Sequence, residues 1–265
     1  MRLVKIAARS LAVAAAVALV LFGSVFAYFH YQVHIARQMI GDLRTLRLGQ
    51  STTADVLPIV HRYAGTGSTS GPSGAPCPPD NCSYFMHVVP LSGEGHGRIM
   101  LWIREKAGDL MNLEGTRYLG IRPWFASGSV TLENGKVKDY GASVIVGGPC
   151  EKLLHASWEV AEDFPELGHG EKWPNMVSDN LMIQWHSVIS YESGEGLTAY
   201  LRPPATPEER QAAFNLNMDC LTRMGNGCFL LSDILPDGVR WQHAHGLRLG
   251  RTEHACRGLR DPDPQ

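Results

Sequence analysis

The sequence predicts an α+β protein in which an N-terminal transmembrane helix is followed by a mainly antiparallel sheet with two main packed helices. Three observations lead to this prediction. Residues 10–29 form an uncharged, mostly apolar run. Through the middle of the chain, short segments rich in aromatic and β-branched residues alternate with glycine-containing turns, as in successive hairpins. A capped amphipathic helix precedes these segments, and another follows them.

The apolar run has the length of a membrane span. Its twenty residues cover about 30 Å as a helix, which is roughly the hydrocarbon thickness of a bilayer. Residues 1–9 contain three basic side chains, Arg2, Lys5 and Arg9, and basic residues favour the cytoplasmic side. We therefore predict a single-pass membrane protein with residues 1–9 in the cytoplasm, residues 10–29 in the lipid bilayer and the C-terminal domain extracytoplasmic.

The same segment also has the features of a signal peptide. A basic start and an apolar stretch lead to Val25, Phe26 and Ala27, and the small Ala27 is an acceptable residue before a cleavage site. Cleavage after Ala27 would release a secreted protein that begins at Tyr28. Both alternatives export the domain, and the length of the apolar run favours its retention as a signal-anchor.

The composition is that of a globular, slightly acidic domain. Charged residues make up 19% of the chain, and its formal net charge is −2. Loss of the three basic residues in segment 1–9 takes this charge from −2 to −5. Since a phosphate backbone is bound mainly by positive charge, we expect no nucleic-acid partner.

Six cysteines indicate disulfide bonds, because an even number is typical of an exported, bridged domain. Six cysteines allow 15 connectivities, and the choice among them rests on which residues are close in sequence. The predicted pairs are Cys77 with Cys82, Cys220 with Cys228, and Cys150 with Cys256. A redox-active pair is the alternative, although Cys77 and Cys82 have four residues between them rather than the two of a thioredoxin-type site.

The chain beyond the apolar run divides into three parts. Apolar residues keep helical spacing from 33 to 46, so residues 30–50 are predicted to continue the helix as a juxtamembrane stalk. Residues 51–256 are the predicted extracytoplasmic α+β domain. Residues 257–265 are polar and proline-rich and predict a flexible tail.

The first helix of the domain begins after Thr52. Thr52 is a suitable N-cap residue, and Asp55 lies where a negative charge favours the start of a helix. Pro58 lies beyond the first turn and should kink or loosen the helix. Four apolar residues recur with helical spacing and predict one buried stripe: Val56, Ile59, Val60 and Tyr63.

Three hairpins are predicted after a loop at residues 65–80, which is rich in Gly, Ser, Thr and Pro. Asn134 and Gly135 lie in the turn of the second hairpin and accept the positive φ angles that a two-residue turn requires. The predicted strands pair residues 84–91 with 98–104, 124–132 with 136–146, and 182–191 with 197–201. The loop and one face of the sheet are the expected contact surfaces.

The second helix of the domain begins after Thr206. Thr206 and Glu209 form the pattern of a capping box, and Pro207 suits the first helical position. This helix is expected to extend through Leu221 and to end at one of the glycines that follow. Residues 232–236 predict one further turn of helix.

Two groups of residues are candidates for chemistry. His243 and His245 are two positions apart, so on a strand they point in one direction, and with His254 and Cys256 they are candidate metal ligands. Four acidic residues near Trp158 could run acid and base chemistry if burial separates their pKa values: Glu159, Glu162, Asp163 and Glu166. The sequence contains no Gly-x-Ser-x-Gly or His-Glu-x-x-His motif, and we predict no catalytic residue and no cofactor.

Residues 48–56, Leu-Gly-Gln-Ser-Thr-Thr-Ala-Asp-Val, resemble the helix start of the BamE/SmpA-like envelope proteins. The resemblance implies a small α+β domain that assists outer-membrane assembly, with an envelope protein as its partner. The chain departs from the family pattern in having Pro58 inside the helix and no lipoprotein cysteine after the apolar run. Its whole layout is similar to that of bacterial exported or membrane-anchored proteins of unassigned function.

These observations favour a membrane-anchored binding or scaffold module without catalytic activity. The expectation rests on the apolar segment, the cysteines and the lack of a recognisable catalytic motif. The alternative is a metal-binding protein or metal-dependent enzyme that uses His243, His245 and His254.

Overall fold

A computed structural model describes residues 2–68, 77–89, 124–147, 153–164, 174–176, 178–188, 194–222, 228, 231–237 and 240. The described residues form a mixed α+β structure in which helices cover one face of a mostly antiparallel sheet. One long apolar helix occupies the N-terminus. The predicted fold class is confirmed at this level.

The described elements have the following bounds. The helices are α1 (Arg2–Leu43), α2 (Thr53–Arg62), α3 (Pro207–Phe214) and α4 (Leu231–Ile234), with a 3-10 helix at Met218–Thr222. The strands are β1 (Thr66–Ser68), β2 (Ser83–Val88), β3 (Trp124–Glu133), β4 (Lys136–Gly147), β5 (Leu153–Ala161), β6 (Pro174–Met176), β7 (Leu181–Val188) and β8 (Gly194–Leu201).

The eight strands form one sheet in the order β1-β2-β3-β4-β5-β8-β7-β6. Strands β1 to β5 run antiparallel to one another in chain order, and β6 to β8 form a second antiparallel series. The two series join where β5 pairs with β8 in parallel. The sheet is therefore two meanders connected along one parallel seam.

The turn between β3 and β4 is the predicted two-residue hairpin. Asn134 and Gly135 have φ angles of 53° and 74°, which match a turn with positive φ at both central positions. The N–H of Gly135 donates to the backbone carbonyl of Asp80 at 2.8 Å, and the N–H of Asn134 donates to the side chain of Asn81 at 2.9 Å. The loop closed by Cys77 and Cys82 thus holds the tip of the hairpin.

The core lies between the helices and one face of the sheet. Alternate residues of each strand point towards the helices, as the two-residue period of a strand requires. The C-terminal half of α1 packs against β2, β3 and β4. Gly128 allows this contact, because a Cβ at that position would lie 2.5 Å from Cδ1 of Leu43.

The structure differs here from the stalk predicted at residues 30–50. The helix does continue without interruption to Leu43, but its apolar stripe is buried in the core rather than exposed outside the domain. The buried stripe consists of Val33, Ala36, Met39, Ile40 and Leu43. The physical reason is that one apolar face with helical spacing is equally suited to packing on a sheet.

Both predicted helix starts are present. The Asp55 carboxylate accepts hydrogen bonds from the backbone N–H and the hydroxyl of Thr52, at 2.8 and 2.9 Å, and α2 continues through Pro58. The capping box of α3 joins Thr206 and Glu209 in both directions. The predicted length of α3 is wrong. The α-helix ends at Phe214, and the apolar residues predicted at its C-terminal end lie in the separate 3-10 helix.

Three strands were missing from the sequence prediction. Strand β5 covers Leu153–Ala161 and includes Trp158, in a region where the sequence prediction has no strand. Strand β1 lies inside the predicted loop at 65–80, and β6 is a three-residue edge strand. Residues 98–104, the predicted partner of β2, lie outside the described residues.

Two disulfide bonds are present, between Cys77 and Cys82 and between Cys220 and Cys228. They are the two pairs predicted from closeness in sequence. The second bond ties the 3-10 helix to residue 228, and the 3-10 helix in turn packs against α1. Cys150 and Cys256 lie outside the described residues, so their pairing stays a prediction.

Candidate functional site

The sheet face opposite the helices carries a groove of about 990 Å³. Its floor is formed by small side chains that alternate with core residues on two neighbouring strands, β3 and β4. On β3 these are Ser127 and Ser129, and directly beside them on β4 are Ser143 and Gly141. Because four neighbouring positions lack bulk, the centre of this face is lower than its surroundings.

Larger side chains border this floor on both sides. Strand β2 contributes Phe85 and His87 next to β3, and strand β5 contributes His155 and Glu159 next to β4. Tyr200 of β8 lies beyond Glu159. The groove therefore has a wall on each side, and the wall positions follow from strand register.

A row of polar side chains crosses the groove from strand to strand. The pairing register places six residues side by side on adjacent strands: His87, Ser127, Ser143, Ser157, Thr198 and Gln184. Two hydroxyl pairs lie within this row, between Ser127 Oγ and Ser143 Oγ at 2.7 Å and between Ser157 Oγ and Thr198 Oγ1 at 2.6 Å. Ser157, Thr198 and Gln184 are buried, whereas His87, Ser127 and Ser143 are at least partly exposed. Because hydroxyls both donate and accept, the exposed part of the row can bond to a ligand of either kind.

The electrostatics of the groove are dominated by one carboxyl group. Glu159 is the acidic residue among the described lining residues, and none of them is Lys or Arg. Burial raises the pKa of Glu159, and the neighbouring Asp139 carboxylate raises it further. The pKa of Asp139 is also raised by burial, against the effects of a hydrogen bond from Thr131 and of the nearby Lys138. A positive or neutral ligand suits this environment better than an anion.

The predicted acidic cluster is divided by the structure. Glu159 lies in the groove, whereas Glu162 and Asp163 follow the end of β5 and are exposed. Asp163 lies 3.9 Å from the Arg202 guanidinium, which is a surface ion pair. Glu166 lies outside the described residues. The described members therefore do not converge on one acid–base site.

The predicted metal ligands His243, His245 and His254, with Cys256, lie outside the described residues. Among the residues that the structure does describe, no group of three or more His, Cys, Asp or Glu side chains could hold a metal ion. Metal binding by the C-terminal histidines thus stays a prediction from sequence.

The exposed half of α1 is a second candidate surface. The helix from Arg9 to Leu43 is long and apolar enough to cross a membrane, and its most apolar stretch has no buried part. Leu11 and Leu19 are 73% and 72% exposed. Isolated exposed apolar residues are common, but a continuous apolar helix of this length has the composition of a membrane anchor or a signal sequence.

The sequence predicts the sheet face as a contact surface, which stays a prediction, but it does not single out the residues of the groove. Small residues at alternate positions, as in Ser127-Gly-Ser129 and Gly141-Ala-Ser143, are a usable signal. These two runs of small residues indicate a groove floor only when they are known to lie side by side on adjacent strands. That requires the register of β3 and β4, which starts at the Asn134-Gly135 turn and then shifts by one residue at a β-bulge between Thr131 and Leu132.

Comparisons of the chain with protein-family models, with curated proteins and with solved structures find no match. The short similarity to the BamE/SmpA-like proteins at residues 48–56 is therefore not extended to the rest of the chain. Function has to be argued from the groove and from α1.

Proposed function

We propose that the protein is a membrane-anchored extracytoplasmic binding module whose ligand occupies the groove of the sheet. One observation supports this proposal above the others. Helix α1 is continuous from Arg2 to Leu43, with an exposed apolar N-terminal half and a C-terminal half buried in the core of the domain. The helix is thus suited to act as an anchor and as a structural element at once.

The exposed half is unfavourable in water. At about 25 cal/mol per Å² of apolar surface, a full turn of exposed leucine, valine and phenylalanine costs several kcal/mol. The exposed large side chains of this half are Leu11, Val13, Val17, Leu19, Val20, Leu21, Phe22 and Phe26. A bilayer covers such a helix on all sides, which a flat protein surface does not.

The distance between the anchor and the domain is short. Phe26 is still exposed, whereas Phe29, three residues later, is 5% exposed. Three helical residues rise by about 4.5 Å. With residues 10–29 in a membrane, the domain would therefore lie directly at the surface, and the groove would keep a fixed orientation to α1.

The disulfides support the direction of export. Two bonds in a small domain are typical of an oxidising compartment outside the cytoplasm. The three basic residues before the apolar run favour the same orientation. A ligand or partner protein in the cell envelope would then meet the groove from the extracytoplasmic side.

Expression of the full chain in a bacterium, with a tag at the C-terminus, tests the anchor. We expect the chain to remain with the membrane fraction after an alkaline carbonate wash, with residues 1–27 intact by mass and its disulfide-bonded cysteines oxidised. A Val17→Arg, Leu19→Arg double variant should leave the membrane fraction. A matched Val17→Ile, Leu19→Ile variant should stay.

Two results would contradict the proposal. A soluble chain that begins at Tyr28 would show a secreted protein instead of an anchored one. Reduced cysteines at positions 77, 82, 220 and 228 in freshly lysed cells would show that the domain stays in the cytoplasm.

A further inference from the structure

We infer that the groove binds a glycan chain without anionic groups, either neutral or amino-substituted. The inference rests on the proposed function, since an extracytoplasmic module would meet the glycans of the cell envelope. Three properties of the groove support it: the row of hydroxyls, the aromatic walls and the sign of the charge.

The hydroxyl row suits a ligand that has many hydroxyls of its own. The Ser127 and Ser143 side chains use one O–H and one lone pair for their mutual bond, which leaves one O–H and further lone pairs for a ligand. Both side chains are partly exposed on the floor. A sugar hydroxyl can bond to this pair as donor and acceptor together, whereas a purely apolar ligand would leave the remaining O–H and lone pairs unused.

The walls supply flat apolar surfaces. Phe85 borders the floor on one side, Phe125 lies at one end, and Tyr200 lies on the far side. Aromatic faces pack against the C–H faces of sugar rings and bury apolar area without a charged partner. The combination of hydroxyls below and aromatic rings beside the ligand distinguishes this groove from a purely apolar pocket.

The charge of the groove selects among glycans. Glu159 is acidic, and the described lining residues include no Lys or Arg to neutralise an acidic sugar. An amino group beside Glu159 would compensate the charge of that carboxylate. A carboxylated or phosphorylated sugar would instead bring a second negative charge into a partly buried site.

The length of the groove suits an oligosaccharide. Phe125 and His155 lie at one level across the strands, and Glu159 lies four residues further along β5. At about 3.3 Å per residue these levels are about 13 Å apart, which is enough for more than one sugar ring.

Isothermal titration of the full chain in lipid nanodiscs tests the inference with three soluble probes that do not enter the lipid. The probes are cellotetraose, the glucosamine tetramer of chitosan and the galacturonic acid tetramer. We expect saturable binding of the first two and at least tenfold weaker binding of the third. Glu159→Gln should weaken binding of the glucosamine tetramer at least tenfold and binding of cellotetraose by less. Ser143→Ala should weaken binding of both.

Thr45→Ala is the matched control, since it removes a hydroxyl that lies in the turn after α1 and donates to the Asp42 carbonyl outside the groove. Thermal unfolding checks that each variant is folded, and Ser143→Thr, which fills the floor, replaces Ser143→Ala if the latter unfolds. The inference is overturned if none of the probes binds, if the acidic tetramer binds as tightly as the others, or if the groove variants bind like the control. Membrane retention of the same samples separates these outcomes from a failure of the anchor.

Discussion

The two halves of α1 are both apolar, yet the domain buries only the C-terminal one. In the N-terminal half, apolar side chains point in every direction, and Leu19 is 72% exposed. In the C-terminal half, polar residues such as His34, Arg37 and Asp42 occupy one side, while Leu43 on the other side is fully buried. The arrangement of apolar residues around the helix, rather than their number, thus separates a membrane-spanning pattern from a core pattern.

Truncating one leucine in each half of α1 tests this comparison. It is the test with the largest expected effect on the free energy of unfolding. Leu43→Ala removes a fully buried side chain that fills the space over Gly128, so we expect a loss of about 2–5 kcal/mol in the free energy of unfolding. Leu19→Ala is the matched control and should leave the unfolding of the domain unchanged. Denaturant unfolding in detergent, followed by near-UV circular dichroism, measures both. Equal effects would show that the two halves do not differ as described.

The disulfide between Cys220 and Cys228 stabilises the 3-10 helix, which packs against the buried C-terminal half of α1. It constrains the 3-10 helix that packs on α1, and closing a short loop stabilises a protein by roughly 2–3 kcal/mol. We therefore expect the Cys220→Ser, Cys228→Ser variant to unfold at lower denaturant concentration by that amount. The double variant should keep its membrane retention, because the exposed half is untouched. Loss of retention without loss of stability would contradict this division of roles.

A hydrogen bond between α1 and the residue that ends α2 gives a smaller effect on stability, and this effect depends on pH. The Tyr63 hydroxyl donates to the Asp42 carboxylate at 2.7 Å, and burial together with this bond raises the pKa of Tyr63 to about 12. The folded state disfavours ionised Tyr63. The contribution of the neutral Tyr63 hydroxyl to the free energy of unfolding is therefore complete below pH 10 and is lost as the pH rises towards 12. Tyr63→Phe should cost about 1 kcal/mol at pH 7.

The direction in which this stability difference changes with pH tests the role of the Tyr63 hydroxyl. The difference in unfolding free energy between the wild type and Tyr63→Phe should be constant from pH 7 to 9 and should shrink between pH 10 and 12. Melting curves at these pH values measure it. A difference that grows with pH would show that the tyrosinate, not the phenol, is favoured in the folded protein.

Removal of the ion pair between Arg37 and Asp219 should have the smallest effect on the stability of the fold. It joins the polar side of α1 to the 3-10 helix, but its side chains are 47% and 65% exposed. Exposed pairs contribute at most about 1 kcal/mol, and salt screens them. Arg37→Gln should therefore shift the unfolding midpoint slightly at low salt and not at all at 0.5 M salt. A large, salt-independent loss would place Arg37 in the core contacts of α1.

The features predicted correctly from sequence are local ones. Asn134-Gly135, Thr52 with Asp55, and Thr206 with Glu209 each act within a few residues, so their chemistry can be read without the fold. The same holds for the two disulfides that close short loops.

The features that escaped prediction depend on distant parts of the chain. The helical stripe of α1 is the same whether it faces solvent, lipid or a sheet, and the space that receives Leu43 is left by Gly128 on the distant strand β3. Strand β5 is bounded by neighbours on both sides, one of them parallel, and carries Glu159 on its groove face. The floor of the groove appears when β3 and β4 lie in register, so its serines were not distinguishable from ordinary surface residues.

The parallel seam between β5 and β8 has a consequence for the speed of folding. The β3–β4 hairpin closes over two residues, whereas β5 and β8 are separated by more than 30 residues of chain. Closing that longer segment costs more entropy before any contact is gained. We therefore expect each meander to form early and their joining to limit the refolding rate, so that Thr198→Val in the seam slows refolding more than Thr131→Val in the hairpin. Until the two meanders meet, the edges of β5 and β8 are therefore open to pairing with strands of other chains.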